Sequence, residues 1–236
     1  MYQRIGIIGD VHAQDDALEA ALGFLQAEGV DVIICTGDVA DGDGDIYRCI
    51  DLLRTHNVRT VRGNHDRWVL QGKARHVPNA HLREELTHDC LDYLAGLPQE
   101  ITLPTPQGDL LLCHGMACND LQKIWPGTAR MPPERSGTLD RLLDEGGLRF
   151  IVNGHVHYRT LIYFTALTLI NAGTLKPNHH AGFSLLAIDT EMVHGYELEG
   201  GIHHVRSHPL RAPADTQVFT NTQQFSGNWQ PVTLYA

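Results

Sequence analysis

Residues 4–12 read Arg4-Ile5-Gly6-Ile7-Ile8-Gly9-Asp10-Val11-His12. An apolar run of one buried strand's length stops at Gly9. A carboxylate and an imidazole follow, two positions apart. The unit recurs. Residues 30–34 read as a second buried strand and lead to Gly37-Asp38, and residues 58–61 read as a third and lead to Gly63-Asn64-His65-Asp66. Between them, residues 15–27 place Ala17, Leu18, Ala21, Leu22 and Leu25 at helical spacing, and residues 46–53 do the same with Ile46, Cys49, Ile50 and Leu53. Strand, helix, strand, helix, strand predicts parallel strands joined by right-handed crossovers, hence an α/β fold.

Further along, residues 67–99 read as mostly helical, with an apolar stripe of Leu82, Leu86, Cys90, Leu91 and Leu94 stopped by Gly96-Leu97-Pro98. Residues 101–103 and 110–113 flank Pro106-Gln107-Gly108-Asp109, a hairpin turn. Residues 117–133 are irregular, and residues 136–145 form a helix with Ser136 as its expected cap. After residues 149–152 come short strands at 161–164, 167–170, 183–188 and 192–198. The expected organisation is one domain over residues 1–200 with a helical insertion near 67–99, and a strand and tail extension over 201–236.

The 236 residues carry a formal net charge of -10, with 15 histidines not counted in it. Such a balance repels long polyanions, which argues against extended nucleic acid or an anionic membrane as partner. A small phosphorylated substrate stays open, because bound metals invert the local field. The cysteines Cys35, Cys49, Cys90, Cys113 and Cys118 are odd in number and match no zinc ribbon or redox pair, so reduced thiols are expected. The first residues lack a basic segment followed by an apolar one, and the apolar stretch at 161–170 is too short to span a bilayer. A cytoplasmic protein is the expectation.

Two more polar clusters complete the series, His114-Gly115 and Gly154-His155-Val156-His157. Each cluster stands just past a predicted strand, and in open α/β sheets ligands bind beyond the carboxyl ends of strands. The candidate ligands are Asp10, His12, Asp38, Asn64, His114, His155 and His157. Oxygen and nitrogen donors without sulfur suit Mn, Fe, Zn, Ni or Co and disfavour a structural thiolate zinc site. Asp10 and Asp38 are the only carboxylates among them. One must bridge if two ions sit roughly 3.5–4 Å apart, as in two-metal hydrolases. Gly37, Gly63 and Gly154 stand where the backbone turns beside the bound group.

These motifs, D-x-H at Asp10 and His12, G-D at Gly37-Asp38, G-N-H-D at residues 63–66, His114, and G-H-x-H at residues 154–157, resemble the calcineurin-like metallophosphoesterase superfamily. The chain looks most like its small bacterial and archaeal phosphodiesterases. The resemblance implies a four-layer αββα sandwich holding two divalent metal ions, with manganese favoured. It implies that Asp10, His12 and His157 hold one ion, that Asn64, His114 and His155 hold the other, and that Asp38 bridges them together with a hydroxide that attacks phosphorus. His65 would protonate the leaving oxygen, oriented by Asp41 or by Asp66. The reaction implied is hydrolysis of small phosphodiesters. The alternatives are a nucleotide-directed phosphatase or dinucleoside polyphosphate hydrolase, and a non-enzymatic scaffold such as some relatives provide in membrane-coat complexes.

The chain departs from its resemblance in two ways. Related phosphoprotein phosphatases carry a phosphate-holding arginine where this chain has Gly42, which argues against that activity. The middle segment and tail are longer than in the smallest phosphodiesterases. Asn171-Ala172-Gly173-Thr174 resembles an N-P-G-S element of that subgroup. The remaining histidines, His56, His76, His81, His88, His194, His203, His204 and His208, are expected at the surface, and His179-His180 in a solvated loop. Arg67 and Arg159 are expected to form local salt bridges.

Overall fold

The computed structural model describes residues 1–73 and 79–236. His76, within the expected helical segment, lies outside the described residues. The first strand, Arg4–Ile8 (β1), shows how the layers arise. Ile5 and Ile7 enter one apolar cluster, while Ile8 enters another on the opposite side. This is the period-2 alternation of a strand buried on both faces. Helix Asp15–Ala27 (α1) covers the outer side with Leu18, Ala21, Leu22 and Leu25.

Val32–Cys35 (β2) and Arg59–Thr60 (β3) extend β1 in parallel, with Ile46–Thr55 (α2) crossing between them. Asp45 caps α2 by accepting from the Tyr47 and Arg48 N–H groups at 2.8 and 3.2 Å. Gly182–Ala187 (β9), Met192–Glu197 (β10) and His203–Pro209 (β11) complete this sheet on the antiparallel side of β1, giving the order β11-β10-β9-β1-β2-β3.

The second sheet grows from the hairpin Glu100–Thr105 (β4) and Gly108–Cys113 (β5). Leu148–Asn153 (β6), Thr168–Ala172 (β8) and Arg159–Phe164 (β7) follow, and Val218–Phe219 (β12) and Val232–Thr233 (β13) both pair with β7. Leu110, Leu112, Phe150 and Val152 face Ile5, Ile7 and Ile34 across the sheets. Leu111, Cys113 and Ile151 turn outward to Gly137–Glu145 (α5). Ser136 caps α5, its hydroxyl accepting from the Leu139 N–H at 3.2 Å, as the sequence predicted. Helices, sheet, sheet and helix make the four-layer sandwich that the family resemblance implied.

Among the described residues of 67–99 there is less helix than the stripe predicted. Asn64–Leu70 (α3) begins on the polar motif itself, and the next helix runs only His88–Gly96 (α4), after a single turn at Arg83–Glu85. Thr87 opens α4 by accepting from the Cys90 N–H at 3.3 Å, so Leu82 and Leu86 precede the helix. No helix among the described residues is long and apolar enough to cross a membrane.

The tail is built into the core. Leu234 is fully buried between the sheets and its N–H donates to the Arg159 carbonyl at 2.8 Å. Leu234→Ala therefore leaves a cavity in the inter-sheet core. The expected loss is about 2–5 kcal/mol in urea unfolding, and a change below about 1 kcal/mol would mean that the tail is not part of the cooperative unit.

Candidate metal centre

The polar clusters stand at the carboxyl ends of β1, β2, β3, β5 and β6 and converge in the seam between the sheets. Asp10 is wholly buried. Its Oδ1 accepts from the Thr36 hydroxyl at 2.8 Å and its Oδ2 from the His155 N–H at 2.9 Å. The Thr174 hydroxyl and the Leu175 N–H both donate to its carbonyl, at 2.8 and 2.9 Å. The Asn171-Ala172-Gly173-Thr174 element thus clamps the Asp10 backbone. Asp38, 1% exposed, accepts the His65 N–H on Oδ1 at 2.8 Å.

The ligand atoms of three overlapping trios lie within 4.8 Å of one another: Asp10, His12 and His157; His12, Asp38 and His65; Asp10, Asp38 and His114. Asn64 joins through Oδ1, 2.9 Å from His114 Nε2. His155 packs its ring 5.4 Å from that of His114, and its imidazole belongs to none of the trios. Gly154 allows the closeness, since a Cβ there would overlap the Asp10 carboxylate. His12, Asp38, Asp41, His155 and His157 all have positive φ, between 46° and 66°. For residues with a side chain that conformation costs of order 1–3 kcal/mol each and persists where surrounding structure holds it.

Hydrogen-bond chemistry tests whether a cation fits. His114 Nδ1 lies 2.8 Å from the Thr36 carbonyl, so Nδ1 carries the proton and Nε2 presents a lone pair. That lone pair faces Asn64 Oδ1 and, at 3.3 Å, Asp38 Oδ2, both acceptors. His12 repeats the arrangement. Its Nδ1 meets the Ala40 and Asp41 carbonyls at 3.2 and 3.0 Å, and its Nε2 points at His157 Nε2, 3.2 Å away. Nitrogen and oxygen atoms gathered this closely around one point make a ligand set that a metal cation can share. The residues fit divalent metal.

The titration behaviour has the same origin. Burial lowers the His12 pKa to about 3 and the His155 pKa to about 4, the second helped by nearby His114, so both rings stay neutral and able to ligate. Burial pushes Asp38 well above the usual carboxylate range, and the Asp10 charge pushes it further. Burial acts on Asp10 in the same direction, but His114, His157 and His12 outweigh it and hold Asp10 below the ordinary value.

Beside the trios, His65 Nδ1 lies 2.6 Å from Asp41 Oδ2, while Nε2 is 4.0 Å from Asp38 Oδ2. Asp41 sits below its usual pKa: burial raises it, and the bonds from His65 and the His81 backbone outweigh that. Asp66 is engaged elsewhere. Its carboxylate accepts from the N–H groups of Val39, Ala40 and Gly63 at 2.8, 3.0 and 2.9 Å, which fixes the loop carrying Asp38. Gly42 stands where a Cβ would overlap the His12 carbonyl, so an arginine at that position requires a different loop.

His81, expected at the surface, is half-buried: its Nδ1 accepts from the Asp41 N–H at 2.9 Å and its own N–H donates to Asp41 Oδ1 at 2.8 Å. Only the tertiary return of residues 79–81 reveals it. His179 stacks edge-on to His157 at 5.2 Å rather than standing in solvent. Arg67 pairs with Asp120, at 2.5 and 2.9 Å. Arg159 is 1% exposed and lies 3.8 Å from Glu197.

Comparison with known proteins agrees with this geometry. The family profile described as calcineurin-like phosphoesterase matches residues 3–159. An uncharacterized protein of Methanocaldococcus jannaschii is 36% identical over 66 residues, which cover 28% of this chain and 27% of that one, so the match spans about a quarter of the relative's length. Among solved structures, a hypothetical protein of Pyrococcus horikoshii is similar with a TM-score of 0.63 at 15% identity, covering 89% of each chain. A metallophosphoesterase of Sphaerobacter thermophilus is similar with a TM-score of 0.60 at 23% identity, covering 87% of this chain and 89% of that one. These structural likenesses establish the shared fold. With the profile spanning most of the chain and all five motifs in place, the chain belongs to the calcineurin-like phosphoesterases, a family of metal-dependent phosphoesterases.

Proposed function

We propose that the protein hydrolyses small phosphodiesters with two divalent ions, manganese being the favoured metal. The observation that carries this reading is the convergence of Asp10, His12, Asp38, His114 and His157 beside the His65–Asp41 pair, with Asn64 and His155 packed against His114. Asp10, His12 and His157 would hold one ion, Asn64, His114 and His155 the other, and Asp38 both. Bound there, such ions lower the pKa of water and offset charge on a phosphoryl group.

The chain's own groups supply the rest. Asp41 accepts the Nδ1 proton of His65 and so leaves Nε2 as the atom that exchanges a proton with the leaving oxygen. Asp66 acts at a distance, by holding the Asp38 loop through three backbone amides. The net charge of -10 supports a small substrate over nucleic acid, and five free cysteines support a reducing, cytoplasmic setting.

Mn²⁺-loaded protein is expected to cleave bis(p-nitrophenyl) phosphate. His65→Gln should lower kcat about 100-fold or more, and Asp41→Asn about 10- to 100-fold with metal content unchanged. Absence of turnover with every divalent metal, or full activity in Asp38→Asn, contradicts the proposal.

Acid should act through the ligands. Unfolded, His12 and His155 take up a proton near pH 6.5, and folded they do so only near about 3 and 4. The unfolded chain binds more protons in between, so these two residues contribute stability present above pH 6.5 and lost as pH falls through that window. Asp38, displaced upward, opposes them by favouring the fold once it is protonated. In metal-free protein at pH 5.5, nitrogen NMR should find both imidazoles neutral. Protonation of either one centred on pH 6.5 would refute the burial argument.

A further inference from the structure

Two clefts meet at Tyr158, the residue after His157. One, about 310 Å³, is the metal cleft bordered by Asp38, Asn64, His155 and His157. The other, about 420 Å³, is walled by Trp125, Tyr158, Trp229 and Tyr235. The Trp125 and Trp229 rings meet edge to face at 5.0 Å, Trp125 and Tyr158 lie 5.8 Å apart, and Tyr158 and Tyr235 lie 6.2 Å apart. The two tryptophans are nearly buried and form the floor, and the two tyrosines are half-buried.

Backbone bonds hold this cleft open as a built feature. The Trp229 N–H donates to the Gly127 carbonyl at 3.0 Å, and the Gly227 N–H to the Pro126 carbonyl at 3.1 Å. Trp125 and Glu134 exchange two bonds, at 3.1 and 2.8 Å. The Trp125 indole N–H is buried and has no hydrogen-bond partner among the described residues.

We propose that the aromatic cleft is the base-binding half of the substrate site, so that the preferred substrate is a nucleotide-type phosphoester. The nucleobase lies among Trp125, Tyr158, Trp229 and Tyr235, and the phosphate reaches the metal cleft past Tyr158. This rests on the phosphoesterase reading above and names its substrate class. Aromatic side chains stack bases of any identity, and about 420 Å³ lies within the roughly 300–1,000 Å³ of small-molecule pockets. Thr128 and Gln230 at the rim offer donors and acceptors to a base edge, which a purely apolar occupant would not use. Lys123, two residues before Trp125, lines the metal cleft and supplies positive charge for the phosphate on an otherwise acidic protein. The cleft adjoins the reacting site, as a pocket for part of the substrate must.

Calorimetric titration of Mn²⁺-loaded protein with adenosine, adenosine 5′-monophosphate and ribose 5-phosphate separates the two halves. Adenosine should bind, and the nucleotide should bind more tightly than ribose 5-phosphate. Tyr235→Ala should weaken adenosine binding about tenfold. Ala129→Trp, which fills the exposed rim without removing a packed side chain, should do the same. In kinetics, both variants should lower about tenfold the ratio of kcat/KM for thymidine 5′-(p-nitrophenyl) phosphate over methyl p-nitrophenyl phosphate. Equal affinity for the nucleotide and ribose 5-phosphate, or adenosine binding unchanged in both variants, overturns the base site. If no ester is hydrolysed with any metal, the phosphoesterase reading fails, while adenosine binding still decides for or against the cleft.

Discussion

Asp10 is the joint on which the molecule turns. Through its carboxylate it holds the Thr36 hydroxyl after β2 and the His155 amide after β6. Through its backbone it meets Gly173, Thr174 and Leu175 after β8. Three strand ends drawn from both sheets are therefore set by one buried anion. A buried carboxylate is costly unless it is paired, and here its partners are the Thr36 hydroxyl, a backbone donor and the candidate ligand histidines. The donors that fix Asp10 join both sheets beside the candidate ligand atoms, so the candidate metal site and the packing of the two sheets are one arrangement.

The Asp38 loop shows the same economy. Asp66 spends its whole carboxylate on three amides of the loops around Asp38, and Asp41 gives one oxygen to His65 and the other to the His81 backbone. Positive φ at Asp38 and Asp41 is held by these bonds and by neighbouring backbone contacts. Strain of this kind gathers where side chains must point inward from the end of a strand, and here it marks the same residues that the motifs mark.

What the sequence made legible was local. A strand ending in a polar cluster is visible within ten residues, so β1, β2, the α/β alternation and the candidate ligands could be read directly, while the four-layer sandwich came only through the family resemblance. Choosing between Asp41 and Asp66 as the partner of His65 could not, because both are near it and only distances of 2.6 Å against three backbone bonds separate them. His81 was hidden for a like reason, its partner lying 40 positions earlier. The helical stripe misled at Leu82 and Leu86 because Thr87 starts a new helix. The aromatic cleft draws on residues 125–131 and 229–235, segments too far apart in sequence for any spacing to join them.

The two-residue strands β12 and β13 carry a further consequence. Both lie along β7, one parallel beside Tyr163 and Phe164, the other antiparallel beside Thr160 and Leu161. Between them they occupy the flank of a fully buried strand that would otherwise offer its amides and carbonyls to any passing chain. At the other sheet's margin, β11 ends in Pro209 and bears Arg206, which discourage pairing by a missing donor and by charge. The C-terminal stretch therefore also denies foreign strands a template at one margin of each sheet.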